Sequence, residues 1–115
     1  LEKLTLGAKF SVINIRFVSE AKKFLKKCPE ELRELFKQEL SVIYDNIEAG
    51  IPLTGDLSGC YKIKITYGDN KYRAVYDVLS DTDVVVVYCG PRSNAYQIIK
   101  KSGVLTGKTR QRKKR

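Results

Sequence analysis

Residues 60–78, CYKIKITYGDNKYRAVYDV, constrain the fold more than any other stretch of the chain. Polar and apolar residues alternate on both sides of a short Gly-Asp-Asn turn. A period of two sends successive side chains to opposite faces, so the segment reads as a β-hairpin with two unlike faces. Ile63 and Ile65 share one face with Ala74, Tyr76 and Val78, and that face needs a cover. Lys62 and Lys64 share the other with Arg73, Val75, Asp77 and Leu79, and this second face is expected to stay uncovered. Cations at neighbouring sheet positions repel unless solvent separates them or an anion joins them. The hairpin therefore carries either an ordinary solvated face or a surface built to hold an anion.

The flanking sequence supplies the cover. KFSVINIRFV, 9–18, is rich in β-branched and aromatic residues and reads as a first strand. Ser19 stands at a helix N-cap position with Glu20 in the first turn, and Ala21, Phe24, Leu25 and Cys28 lie along one side of a short helix. Pro29 restarts the chain at a first helical position, followed by Glu30 and Glu31. Leu32, Leu35, Phe36, Leu40, Ile43 and Ile47 then recur at helical spacing until Gly50 and Pro52 end the run. Six cations and seven acids within 19–50 make this helical pair a solvated outer layer rather than a nucleic-acid surface. PLTGDLSG, 52–59, reads as a loop. VVVVYCG, 84–90, is apolar on both faces, as a central strand would be. SNAYQIIKKSG gives a short C-terminal helix. The expected fold is α+β: an N-terminal strand, a helical hairpin packed on a mostly antiparallel four-stranded sheet, and a short last helix. The expected division is an N-terminal extension over 1–9, a domain over 10–101, and a basic, flexible tail over 102–115.

Composition narrows the chemistry. The chain has 115 residues and 43% hydrophobic content, enough for one modest core, and no apolar run long enough for a membrane span. No secretory signal is visible. Cys28, Cys60 and Cys89 show no metal-ligand spacing and are read as reduced thiols of a cytoplasmic protein. Of the net charge of +9, most sits in GKTRQRKKR, 107–115, which holds six cations and no acid; residues 1–106 carry only +3. An anion site in the folded part must therefore come from placement rather than bulk charge. The tail is read as an extension contacting ribosomal RNA, a flexible segment without a site role, or an expression remnant. Histidine is absent altogether. That excludes a Ser-His-Asp triad, a histidine-based nuclease and histidine-ligated metals. No Gly-rich phosphate loop is present either.

The element order, together with PLTGDLSGCYKIKI, YRAVYDV, VVVVYCGPR and a tyrosine shortly after, resembles the RelE/ParE superfamily of toxins from type II toxin–antitoxin pairs. The resemblance covers about residues 10–101, and CYKIKI is similar to the RelE branch, the ribosome-dependent mRNA endonucleases. It implies a RelE-like fold and five site residues. The branch's two strand lysines fall on Lys62 and Lys64, its Tyr-Arg-x-x-Tyr arginine on Arg73, its arginine after the last strand on Arg92, and its C-terminal tyrosine on Tyr96. Where the family has Gly-Lys-Arg this chain has Gly90-Pro91-Arg92, and the interval to Tyr96 is shorter. The resemblance further implies a cognate antitoxin, the ribosome and mRNA as partners, with no membrane, cofactor or metal.

The chemistry this implies is attack of a ribose 2′-OH on the adjacent phosphate, cutting mRNA in the ribosomal A site. Without histidine a lysine is the available base, and crowded cations favour proton loss from one of them. Lys62 and Lys64 are assigned to base and phosphate duties and Arg73 to a bidentate phosphate clamp. Arg92 is assigned to the leaving oxygen, and Tyr96 to stacking on a base or orienting the 2′-OH. Packing of the last helix on the sheet is the other reading of Tyr96. Two alternatives of other classes stay open: a ParE-like, non-catalytic inhibitor of DNA gyrase, and a non-cleaving RNA-binding module.

Overall fold

The computed structural model describes residues 13–93 and 95–102. The expected extension over 1–9, the start of the first strand and the basic tail beyond residue 102 lie outside them. Strand β1 (Asn14–Phe17) is followed by helices α1 (Ser19–Lys27) and α2 (Glu30–Leu40), then β2 (Ile51–Pro52), β3 (Cys60–Tyr67), β4 (Asn70–Val78), β5 (Asp83–Pro91) and α3 (Ala95–Ser102). The sheet order is β1-β5-β4-β3-β2, with β1 parallel to β5 and the remaining pairs antiparallel. No helix among the described residues is long and apolar enough to cross a membrane.

The sheet has five strands rather than the expected four. The addition is β2, inside a segment read as loop: Ile51 pairs with Lys62 and Pro52 with Tyr61. A two-residue strand ending in proline is tolerated at an edge, where the missing N–H breaks no ladder. Two helix boundaries also differ. Ser19 is the first helical residue; Val18 holds the cap position in extended conformation without a side-chain cap, because its N–H is committed to the Val86 carbonyl of β5. α2 ends at Leu40 and tightens into a 3₁₀ turn over Ser41–Tyr44 instead of running to Gly50. The Ser41 hydroxyl donates back to the Gln38 carbonyl at 2.7 Å, a local bond that competes with continued helix.

The helical pair covers the face the hairpin pattern selected. Phe24, Phe36 and Tyr72 form an aromatic triangle with centroids 5.7–6.3 Å apart. Around it pack Leu32, Leu40, Ile43, Ile63, Ile65, Ala74, Tyr76, Val84 and Val86, all buried. Arg33 closes the joint between the helices, donating to the carbonyls of Leu25, Lys26 and Cys28 at 2.8–3.3 Å; a cation at these orphan carbonyls suits the negative end of α1. The Tyr76 hydroxyl donates to the Ile47 carbonyl and accepts from the Gly50 N–H, tying the chain after α2 to the sheet. Gly50 lies so close that a Cβ would stand 2.9 Å from the Lys62 carbonyl oxygen.

The opposite face is not uncovered. α3 and the turn at Gly55–Leu57 lie over it, forming a second core of Leu57, Cys60, Val75, Val87, Tyr88, Ala95 and Ile99. Val75 and Asp77, expected on an open face, are buried. A bulge makes this possible. Val75 of β4 pairs with Tyr88 but Tyr76 pairs with Val86, leaving Val87 as an extra residue in β5. Val87 and Tyr88 consequently both turn toward the second core, and the strand bends there. Cys60 and Cys89 are buried and Cys28 half-buried, none in a disulfide. Burial pushes the Cys89 thiol up to about 12, so it stays protonated.

The edge strand β1 is anchored by one carboxylate. Asp83 accepts from Asn14 Nδ2, Arg16 Nη2, Ser80 Oγ and Thr82 Oγ1 at 3.1–3.3 Å. The Asn14 amide, then the Ser80 hydroxyl, the Thr82 hydroxyl and the Arg16 charge hold its pKa below the ordinary carboxylate value. A depressed pKa in the folded chain contributes stability above the unfolded value of about 4 and loses it as pH falls through the folded one. Urea titrations at stepped pH should therefore show the parent losing more stability than Asp83→Asn between about pH 5 and pH 2. Parallel curves for the two proteins would contradict this role.

Candidate active site

The cationic residues converge because of strand register. The hairpin turns at Gly68, whose φ of 61° is the left-handed conformation glycine adopts without strain. From there Lys64 stands directly opposite Arg73, Lys62 opposite Val75, and Arg73 opposite Gly90 of β5. Arg92 follows the end of β5, and its N–H donates to the Lys71 carbonyl at 3.0 Å, which draws the exit of β5 against the start of β4. The result is a cleft of about 380 Å³ lined by Lys62, Lys64, Lys71, Arg73 and Arg92 with Ile65, Thr66 and Tyr72. Among the described residues no carboxylate lines it.

Four of the five residues expected from the sequence thus share one cleft. Lys71 was missed, although the alternation that selects Arg73 selects it too, two positions earlier on the same face. Tyr96 does not line this cleft. It sits on α3, half-buried against the second core, and reaches the site through Arg73, whose guanidinium carbon lies 5.0 Å from the centre of its ring. Both readings of Tyr96 therefore meet in one side chain: it packs the last helix on the sheet and offers a face to a cation.

Arg73 is the unusual member. It is only 9% exposed, and its Nε is buried with no hydrogen-bond partner. Lys64 and Arg92, by contrast, are exposed, and Lys62 is half-buried. The wall beside Arg73 is made by a glycine. A Cβ on Gly90 would meet the Tyr88 hydroxyl at 2.8 Å, because the Tyr88 ring folds back over it and donates to the Pro91 carbonyl at 2.7 Å. Burial raises the Tyr88 pKa, with the Arg73 charge acting weakly in the other direction, so the phenol stays a donor. A guanidinium that lines a cleft with further cations, and with no acid among the described lining residues, is arranged to receive an anion with several oxygens.

The family described as ParE-like toxin of type II bacterial toxin-antitoxin systems matches residues 15–100. Among solved structures, an arginine-to-alanine double mutant of the E. coli toxin RelE in its free state is similar at 27% identity, covering 79% of this chain and 97% of that one, with a TM-score of 0.63. The isolated E. coli RelE toxin is 30% identical over 79% of this chain and 98% of its own, with a TM-score of 0.56. The intact E. coli RelBE toxin–antitoxin complex shares the fold, at 24% identity, 71% and 99% coverage and a TM-score of 0.59. No curated protein matches the sequence.

The unpartnered Nε implies that the site is held at a cost to the fold. Leaving a buried donor unsatisfied costs about 1–3 kcal/mol, against roughly 0.5–2 kcal/mol returned by the contact with Tyr96. Arg73→Met, which keeps the chain length and removes the charge, should raise unfolding stability by about 1 kcal/mol, seen as a melting temperature higher by about 4 °C. A melting temperature lowered by several degrees would show that Arg73 supports the fold.

Proposed function

The chain belongs to the ParE-like toxins of type II toxin–antitoxin systems, and from that premise we propose that it is an endoribonuclease cutting mRNA in the ribosomal A site. The observation that carries the reading is Arg73: a mostly buried guanidinium, braced on the Tyr96 ring, that lines a cleft of cations. A gyrase-binding surface needs no such preorganised donor. A phosphate passing through a more highly charged transition state does.

The residues divide the work as follows. Arg73, braced on the Tyr96 ring, holds two non-bridging oxygens of the scissile phosphate. Lys62 or Lys64 takes the proton from the ribose 2′-OH. The 2′-oxygen attacks phosphorus, the bond to the 5′-oxygen breaks, and that oxygen takes up a proton beside Arg92. Lys71 adds charge to the phosphate's surroundings. The products are a 2′,3′-cyclic phosphate and a 5′-hydroxyl. Nothing among the cleft residues is an ordinary carboxylate base, so substrate orientation carries much of the rate. The ribosome supplies it, and ordering of this kind is worth roughly 7–11 kcal/mol in favourable cases.

A toxin of such a system is held by a cognate antitoxin. An acidic, amphipathic segment suits this chain. Besides the cationic cleft it would find an apolar groove of about 500 Å³ among Ile15, Phe17, Leu25, Leu40 and Tyr44, rimmed by Lys22, Lys26, Arg33 and Lys37.

Primer extension on message from a translation extract tests the reading. Cuts should fall within codons, and Arg73→Met should slow them by at least ~10²-fold. Lys62→Ala combined with Lys64→Ala should abolish toxicity while leaving the fold intact. A message with one 2′-deoxynucleotide at the cut position should bind, since phosphate contacts dominate affinity, yet remain whole. Intact ordinary message together with blocked gyrase supercoiling would replace this function with the ParE-like one.

A further inference from the structure

A second cleft, of about 430 Å³, adjoins the first. Pro52, Leu53, Thr54, Asp56, Leu57 and Lys100 line it, together with Lys62, which the two clefts share, and Tyr96, which braces Arg73. Its chemistry differs from its neighbour's. The first cleft has cations and no carboxylate; this one sets Asp56 opposite Lys100, their charged atoms 3.2 Å apart. A carboxylate repels phosphate but accepts from N–H donors. Leu53, Leu57 and Pro52 offer apolar surface, and the half-buried Tyr96 ring, against which Arg73 rests, adds an aromatic wall. Apolar walls, an aromatic ring and a carboxylate–ammonium pair describe a seat for a nucleobase, not for a second phosphate.

We propose that this second cleft receives the base next to the scissile phosphate, and that Asp56 selects bases carrying an exocyclic amino group over uracil. The inference rests on the endonuclease reading above. Lys62 links the two subsites: a chain whose phosphate lies on Arg73 places the adjoining nucleotide past Lys62 and against Tyr96. Adenine, cytosine and guanine each present an N–H₂ group that a carboxylate can accept, with a ring nitrogen or carbonyl beside it for the Lys100 ammonium or the Thr54 hydroxyl. Uracil presents carbonyl oxygens to the carboxylate at the corresponding positions, and two acceptors facing each other repel. Asp56 sits in the middle of the Gly55–Leu57 turn, where Gly55 has a φ of 65°, and its exposed carboxylate is held toward α3 by the ion pair with Lys100.

The test uses the full chain in a translation extract, with a message whose A-site codon is randomised and 5′-hydroxyl ends read by sequencing. The parent should cut codons with an amino base at one position flanking the cut about tenfold more often than those with uracil there, the scale of one well-placed base contact. Asp56→Asn, whose carboxamide can donate to a carbonyl, should bring uracil codons to within about threefold of the rest. Lys100→Ala removes a base contact and the ion pair but keeps the carboxylate, so it should lower cutting of all codons while retaining the preference against uracil. An Asp56→Asn spectrum identical to the parent's overturns the subsite while leaving the endonuclease reading in place. Equal loss of preference in Lys100→Ala and Asp56→Asn also overturns it, since the pair would then act by holding α3. No cuts by the parent on any codon overturns both readings together.

Discussion

One guanidinium sets the terms for the rest of this molecule. Arg73 lies in the middle of the central hairpin, nine-tenths buried, with a buried Nε that nothing among the described residues satisfies. Burying a charge without a carboxylate partner is tolerated only where the surroundings over-determine its position. Here they do so from several directions. The β3–β4 register puts Lys64 across from it, the Tyr88 ring folded over Gly90 stands on the β5 side, and its guanidinium lies over the Tyr96 ring. Each depends on another element: Gly90 on the folded-back Tyr88 ring, Tyr96 on the packing of α3, and the register on the turn at Gly68.

The two cores explain how a small domain can hold such a group. The helical pair and its aromatic triangle bury the Ile63–Ala74 face conventionally and carry most of the fold. The second core is smaller and incomplete. α3 and the Gly55–Leu57 turn cover its lower half, over Cys60 and Val75, and stop short of Lys62, Lys64 and Arg92. The boundary between covered and open sheet is where both clefts form. The β5 bulge serves this arrangement, since turning Val87 and Tyr88 to one side supplies apolar surface for α3 and brings Tyr88 over Gly90.

Much of this was legible in the chain because the period-two alternation over 60–78 admits only one pair of faces. It placed Ile63, Ile65, Ala74 and Tyr76 under the helices and put Lys62, Lys64 and Arg73 together. It could not show that α3 packs over Val75 or that Asp77 is buried. The helix is only eight residues long, and the bulge that makes room for it shifts β5 by one residue without any glycine or proline at Val87 to announce it. β2 escaped notice for a similar reason: two residues with a proline resemble a loop until an edge is there to receive them. The Arg73–Tyr96 contact joins residues from different elements across a turn, which local pattern does not encode. Lys71 was legible too, since it precedes Arg73 by two positions in β4 and so shares its face.

The account turns on whether the Arg73 guanidinium is what the phosphate meets. Side-chain NMR of the arginine Nε–H groups tests this directly, with the protein titrated against a short RNA carrying one 2′-deoxynucleotide so that it binds without being cut. The account predicts that the Arg73 Nε–H resonance moves and its exchange with water slows by about tenfold as the RNA saturates. An Arg73 resonance that stays unchanged at every RNA concentration, while Lys62, Lys64 or Arg92 respond, would contradict it.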